Sequence, residues 1–179
     1  LTHLLKNVPA EIRVTVSTNA VFAQQFKRWR EEVGRSNLEV VIEDTTHDDH
    51  KLGAVGAFAK WLESTRIDDD VLLLTGDNYV GFSLERFLQA HEPPAATIAA
   101  FDVGNRNDAS AFGTVLVDPK HPQRVIGFEE KPKQPKTSLV STGFSILPRT
   151  ALPIVIAFAK SHRDNVGGIF EELLRRGHP

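Results

Sequence analysis

Cysteine and methionine are both missing from the 179 residues. Without a thiol the chain can form no disulfide, no thiolate metal site and no cysteine nucleophile. Charge of one sign is lacking too. Lys and Arg number 21 against 23 Asp and Glu, a net charge of −2, so no global field draws nucleic acid or an anionic membrane. No apolar run reaches the roughly 20 residues that a spanning helix needs, and no charged-then-apolar leader resembles a signal peptide. The expectation is a cytoplasmic protein with no nucleic-acid and no membrane partner. There is no initiator Met; the chain opens on Leu1-Thr2-His3-Leu4-Leu5 and stops at Arg175-Arg176-Gly177-His178-Pro179. The start reads as the end of a helix already under way, and the finish as helix-ending punctuation that is normally followed by another element, which predicts further chain beyond each.

What is present suits one domain. Hydrophobic residues make up 41% and charged residues 25%, ordinary for a globular chain of a length that supports a single full core. The strongest stretch is Val71-Leu72-Leu73-Leu74-Thr75-Gly76-Asp77-Asn78. Four aliphatic residues in a row predict a strand buried on both faces, as in the middle of a parallel sheet. Gly-Asp-Asn then ends it in a tight turn. A carboxylate and an amide are thereby placed at a strand's carboxyl end, where open α/β sheets bind ligands. Asp77 there is a hard oxygen ligand suited to Mg²⁺; the competing reading is a solvated turn.

Around this stretch the pattern alternates. Leu1 to Val8 reads as helix, Glu11 to Ser17 as strand, and Ala20 to Val33 as a helix capped by Thr18-Asn19 and ended by Gly34. Leu38 to Ile42 is a second strand. The polar loop after it holds His47, His50 and four acidic residues; it is weighed as a metal cluster and read as solvated, since nothing fixes its side chains on one face. Leu52-Gly53-Ala54-Val55-Gly56 opens a helix whose small residues and free N–H groups suit an approaching anion, or simply tight packing. Ser83 caps another helix, and Thr97 to Val103 is a further buried strand. Strands 114–117 and 124–130 pair around a turn and end in Phe128-Glu129-Glu130-Lys131-Pro132. A Lys at a strand end can neutralise a phosphate, and a Glu can accept sugar hydroxyls, although an exposed charged turn is the commoner case. Ser138 to Leu147 is a strand with Gly143 inside it, a mark of a bulge or of a close backbone approach. Thr150 to Ser161 and Val166 to Arg176 are helical. The sum is a single α/β domain over residues 1–179 with a mixed sheet.

Five short motifs in order, Leu52-Gly53-Ala54-Val55-Gly56, Gly76-Asp77-Asn78, Phe112-Gly113-Thr114-Val115, Glu129-Glu130-Lys131-Pro132 and Ser141-Thr142-Gly143-Phe144, give a chain that resembles the sugar-1-phosphate nucleotidyltransferases. These include glucose-1-phosphate thymidylyltransferases and related uridylyl- and guanylyltransferases. The resemblance implies a Rossmann-like three-layer nucleotidyltransferase fold with a mixed, mostly parallel sheet. It implies Mg²⁺ as cofactor, and an NTP and a sugar-1-phosphate as partners, joined with release of pyrophosphate. By the same resemblance Asp77 holds the metal, Lys131 grips the sugar phosphate, and these two are the catalytic candidates. Glu130 takes sugar hydroxyls; Leu52 and Gly53 face the nucleotide. Gly76, Asn78, Gly113, Thr142 and Gly143 line the substrates. The family's Gly-rich phosphate loop and its second metal-binding Asp have no counterpart in these residues, and Asp164 matches no family motif. The rival expectation is a non-catalytic nucleotide-sugar-binding or regulatory homologue; a generic Rossmann-like domain is a third. Family members commonly form homo-oligomers, and no exposed apolar stripe in the sequence identifies an interface.

Overall fold

The computed structural model describes residues 1–43 and 52–179. The loop residues His47 and His50 lie outside them. In chain order the elements are α1 (Thr2–Lys6), β1 (Val14–Asn19), α2 (Ala23–Val33), β2 (Leu38–Glu43), α3 (Gly53–Thr65), β3 (Val71–Leu74), α4 (Leu84–Gln89), β4 (Thr97–Asp102), β5 (Gly113–Val117), β6 (Val125–Glu130), β7 (Leu139–Leu147), α5 (Leu152–Ala159) and α6 (Val166–Arg175). Single turns of 3₁₀ helix lead into α2, β5 and α5.

The punctuation works as its chemistry dictates. The Asn19 side chain accepts from Val21 N–H at the turn before α2, and Gly34 ends α2 at φ 64°. Ser83 accepts from Arg86 N–H to start α4. Asn165 accepts from Gly168 N–H to start α6. Each side chain satisfies a helix-end N–H group that has no partner within the helix.

Two sheets result. β1 and β2 pair in parallel, Val14 against Leu38 through Asn19 against Glu43. The larger sheet contains β3, β4, β5, β6 and β7, and its ladders are antiparallel. The α/β class and the layered fold agree with expectation, but parallel pairing among the described strands is confined to β1 and β2. The middle strand is β7, not the aliphatic run of β3. β4 follows one edge of β7, from Thr97 opposite Ile146 to Asp102 opposite Leu139. The other edge is shared: β3 pairs with Phe144–Leu147 and β5 meets Val140 through Thr114.

Helices cover both faces of this sheet. Val71 and Leu73 of β3 and Leu147 of β7 join one core with Val55, Leu62, Val155, Ile169 and Phe170 of α3, α5 and α6. Leu74 and Phe144 turn the other way, onto Leu4, Val8, Val80 and Leu84. This two-sided packing explains why β3 is aliphatic at every position although it is antiparallel to β7. Its four residues are only half-buried. β4 also departs from expectation: it borders the sheet, and Ala100–Asp102 are exposed, with Phe101 62% accessible.

Two polar clusters fasten the periphery. Arg35 donates from its guanidinium to the carbonyls of Val8 (3.1 Å), Pro9 (2.7 Å) and Ile12 (2.6 Å), tying the α1–β1 connection to the end of α2. A planar fork with five donors is the side chain that can do this. On α6, Glu172 accepts from Arg175 and Arg176. Hydrogen bonds from Arg175, then Arg176, hold its carboxyl at about 2, below the ordinary 4.5. A depressed acid pKa stabilises the fold above the unfolded value and loses that contribution as pH falls. Urea midpoints should therefore decline between pH 4.5 and about 2, and Glu172→Gln should flatten that part of the profile. Replacing Arg35 by Lys should cost about 2 kcal/mol, because several partly buried carbonyls lose their donor; urea unfolding at neutral pH measures it.

Candidate functional site

The sharing of one β7 edge between two strands creates a junction. β3 ends at Leu74, opposite Phe144, and β5 meets β7 with Thr114 opposite Val140. Between them Ser141, Thr142 and Gly143 have no ladder partner on that side among the described residues, so the loop after β3 supplies one. Thr75 N–H donates to Gly143 O at 3.3 Å. The Asn78 amide donates to Thr142 O at 2.8 Å and to Thr75 Oγ1 at 2.5 Å. From the other edge of β7, Thr142 Oγ1 donates to Ala99 O at 2.8 Å, where a register shift between Ile98 and Ala100 interrupts β4. A bulge of this kind frees a carbonyl from its ladder.

Gly143 is required here. Its φ is +78°, and a Cβ would lie 2.5 Å from Thr75 Oγ1 and 3.0 Å from Asn78 Nδ2. The glycine thus admits the chain's own Thr75–Asn78 loop, and both Asn78 N–H groups are spent on it, leaving its amide oxygen for any further role. Gly76 packs against the Leu1 side chain, which a Cβ at this position would approach to 2.9 Å. Asp77 is exposed at the apex of the turn.

The second cluster lies where the β5–β6 hairpin ends. Gly113 pairs with Glu130, and Lys131 turns out of the strand with φ +44°, donating its N–H to Phe112 O at 3.1 Å. A left-handed conformation costs a residue with a Cβ roughly 1–2 kcal/mol, so the surrounding hydrogen bonds must enforce it. Glu130 N–H donates to the Glu171 carboxylate of α6 at 2.9 Å. Glu130's own carboxyl is half-buried against Gly113, Gly167 and Phe128. Burial raises its pKa above the usual range; Lys131 opposes this and Glu171 adds to it. Glu129 pairs with Lys136 instead.

The third group, at the start of α3, is tied elsewhere. Val55 and Gly56 N–H both donate to Arg163 O, at 2.9 and 3.0 Å, and Ala54 N–H donates to Asp164 Oδ1 at 3.1 Å. A Cβ at Gly53 (φ +71°) would overlap Arg163 O. The small residues read as an anion-ready helix start therefore receive the α5–α6 connection: Ala54, Val55 and Gly56 hydrogen-bond to it, and Gly53 lies close against Arg163.

The structure thus brings Asn78, Thr142 and Gly143 into contact, and separately Gly113, Glu130 and Lys131, on neighbouring parts of β7 and β5. Among the described residues no group of three or more His, Asp or Glu is arranged to hold a metal. Asp77 offers a single exposed carboxylate. Thr75, Gly167 and Glu171 were not singled out in the sequence. Thr75 looks like the tail of an aliphatic strand, and Glu171 lies 41 residues from its partner, beyond any local signal. A Cβ at Gly167 would overlap the Glu130 carboxylate. Gly167→Ala should accordingly cost about 1–3 kcal/mol in urea unfolding, and adding Glu130→Ala should recover part of it.

Comparison with known proteins agrees with this architecture. The chain is similar to a crystal structure assigned as a glucose-1-phosphate thymidylyltransferase from Bacillus anthracis, solved in complex with a sucrose. The TM-score is 0.72 at 20% identity, over 98% of this chain and 70% of that one. It is also 36% identical, over 78 residues, to the glucose-1-phosphate adenylyltransferase of Thermosipho africanus (strain TCF52B). That match takes in 42% of this chain, and spans 18% of the length of the curated relative. The model of the family described as nucleotidyl transferase matches residues 3–179, and the chain belongs to that family.

Proposed function

We propose that the β7 junction is the sugar-phosphate end of a sugar-1-phosphate nucleotidyltransferase, which joins an NTP and a sugar-1-phosphate into an NDP-sugar and pyrophosphate. The observation that carries the reading is Lys131. A lysine is held left-handed at the end of β6, where Glu130 pairs with Gly113 of β5, and β5 in turn borders β7, the strand that anchors the Gly76-Asp77-Asn78 turn. Backbone strain kept in place by several hydrogen bonds is characteristic of positions where geometry matters to chemistry.

The reaction asks an oxygen of the sugar phosphate to attack the α-phosphorus of the NTP as the bond to the pyrophosphate oxygen breaks. Two anions must approach in line, so positioning and positive charge dominate the barrier. Lys131 supplies a point charge to the sugar phosphate, and Glu130 accepts sugar hydroxyls. Backbone groups at Gly113, Thr142 and Gly143 wall the sugar, with Gly76 and Asn78 closing the turn beside it. The donor set fits Mg²⁺, which is commonly held by one or two carboxylates together with substrate phosphates rather than by a protein cage. Asp77 is the candidate ligand, and the ion would supply charge neutralisation on the phosphates. Leu52 and Gly53 belong to the nucleotide side of the proposal. A cytoplasmic location, a homo-oligomeric state and a role in polysaccharide biosynthesis belong to the same reading.

One observation favours the second reading, a non-catalytic nucleotide-sugar-binding or regulatory homologue. The N–H groups of Ala54, Val55 and Gly56 are already taken by Arg163 and Asp164, which leaves fewer donors for a nucleotide.

Calorimetric titration with glucose 1-phosphate, and separately with Mg²⁺ and nucleoside triphosphates, tests the proposal. Lys131→Ala should weaken glucose 1-phosphate binding by at least about tenfold, the loss of one charge-assisted contact, and leave triphosphate binding nearly unchanged. Equal losses for both ligands would sink the assignment. Asp77→Ala should abolish the Mg²⁺ dependence of triphosphate binding; an unchanged dependence returns the Gly-Asp-Asn stretch to a simple turn.

A further inference from the structure

We infer that Glu171 of α6 is a positioning residue for the Glu130–Lys131 corner, and through it for the grip on a sugar phosphate. The inference rests on the sugar-phosphate reading of Lys131 and adds a residue that no family motif in the sequence contains.

β6 borders the larger sheet, pairing with β5 on one edge. Backbone N–H groups alternate in direction along such an edge, and Lys131 N–H points to the β5 side, so the N–H of Glu130, the last residue of β6, points away from β5. The acceptor is Glu171 Oε1 at 2.9 Å, a charge-assisted bond to a backbone donor and stronger than a neutral one. One residue on, Lys131 N–H donates to Phe112 O at 3.1 Å. The peptide that enters the left-handed turn is therefore fixed from α6, and the next is fixed from the segment preceding β5. Release of the first leaves Lys131, a residue that has no preference for φ +44°, free to relax to an ordinary extended or right-handed conformation. The side chain would then leave the strand end in another direction.

α6 is suited to act as the fixed support. Ile169, Phe170 and Leu173 are buried in the main core, and the Phe170 ring packs on Phe128 of β6 with centroids 5.4 Å apart. Gly167 gives the Glu130 carboxylate its place against the helix. Glu171 is thus one turn further along the surface that β6 touches. Its charge is also felt by Glu130. Of the charged groups around Glu130, Lys131 opposes and Glu171 favours protonation. Glu129 is paired with Lys136 and Glu172 with Arg175 and Arg176, while β5 presents only Gly113 and Thr114 there.

Three measurements on the wild type, Glu171→Ala and Glu171→Gln test this. They are amide hydrogen exchange at Glu130, NMR titration of the Glu130 carboxyl, and calorimetric affinity for glucose 1-phosphate. Glu171→Ala should lose the Glu130 amide protection and weaken glucose 1-phosphate binding roughly tenfold, the usual scale for removing a supporting partner. Glu171→Gln keeps an acceptor oxygen and should restore both. In either variant Glu130 should titrate at lower pH than in the wild type, because a neighbouring negative charge is gone; recovery of amide protection and affinity in Glu171→Gln, with the charge still absent, separates the hydrogen bond from that charge effect. Unchanged amide protection in Glu171→Ala would overturn the inference whatever the titration does, and so would lost protection with unchanged glucose 1-phosphate affinity in a protein that binds it. If the wild type fails to bind glucose 1-phosphate while Glu171→Ala still loses protection and shifts the titration, the sugar-phosphate reading falls and the positioning of the corner by Glu171 stands.

Discussion

The whole arrangement depends on β7 being hydrogen-bonded on both edges and packed on both faces. Phe144 to Leu147 are buried in succession, with Leu147 turned into the core of α3, α5 and α6 and Phe144 into that of α1 and α4. Nine residues of β7 are too long for either β3 or β5 alone to cover one edge, so the two strands divide it. The point of division leaves backbone polar groups open, and those groups must be satisfied. The Thr75–Asn78 loop is drawn onto them for that reason. A candidate binding region thus follows from a mismatch in strand lengths.

The same logic places the lysine. β5 starts where β3 stops, and its hairpin partner β6 therefore ends nearby, with Glu130 opposite Gly113. A Cβ at Gly113 would come to 2.5 Å from the Phe128 ring, so the hairpin closes tightly at this end. The turn out of β6 has to be made at Lys131, between Phe112 and α6. Charged and apolar groups that look like separate motifs in the sequence are consequences of one strand ending beside another.

Much of this was legible in the residues. The helix boundaries at Asn19, Gly34 and Ser83 are written in local chemistry, and the hairpin of β5 and β6 in its Asp-Pro turn. Asn78, Thr142 and Gly143, named from separate motifs, do touch one another. Strand order was not legible. The run Val71–Leu74 reads as a central parallel strand because each side chain is apolar, yet that pattern records two covered faces and is silent on the direction of the neighbour. β7 conceals its central position behind Ser141, Thr142 and Ser145, whose hydroxyls lower its apparent hydrophobicity. Glu171 and Asp164 act across 41 and 110 residues, and no periodicity encodes a contact of that span.

The link between Asp164 and Ala54 also bears on the order in which the chain matures. Helix α3 is complete in sequence at Thr65, but the groups that cap its first turn belong to Arg163 and Asp164. During synthesis from the amino terminus, α3 remains open at its start until nearly the entire segment has emerged. Domains made on the ribosome commonly settle as units, and here the acceptors for the first turn of an early helix arrive with a late loop. A chain released before residue 163 would carry every residue of α3 and still lack the means to cap it.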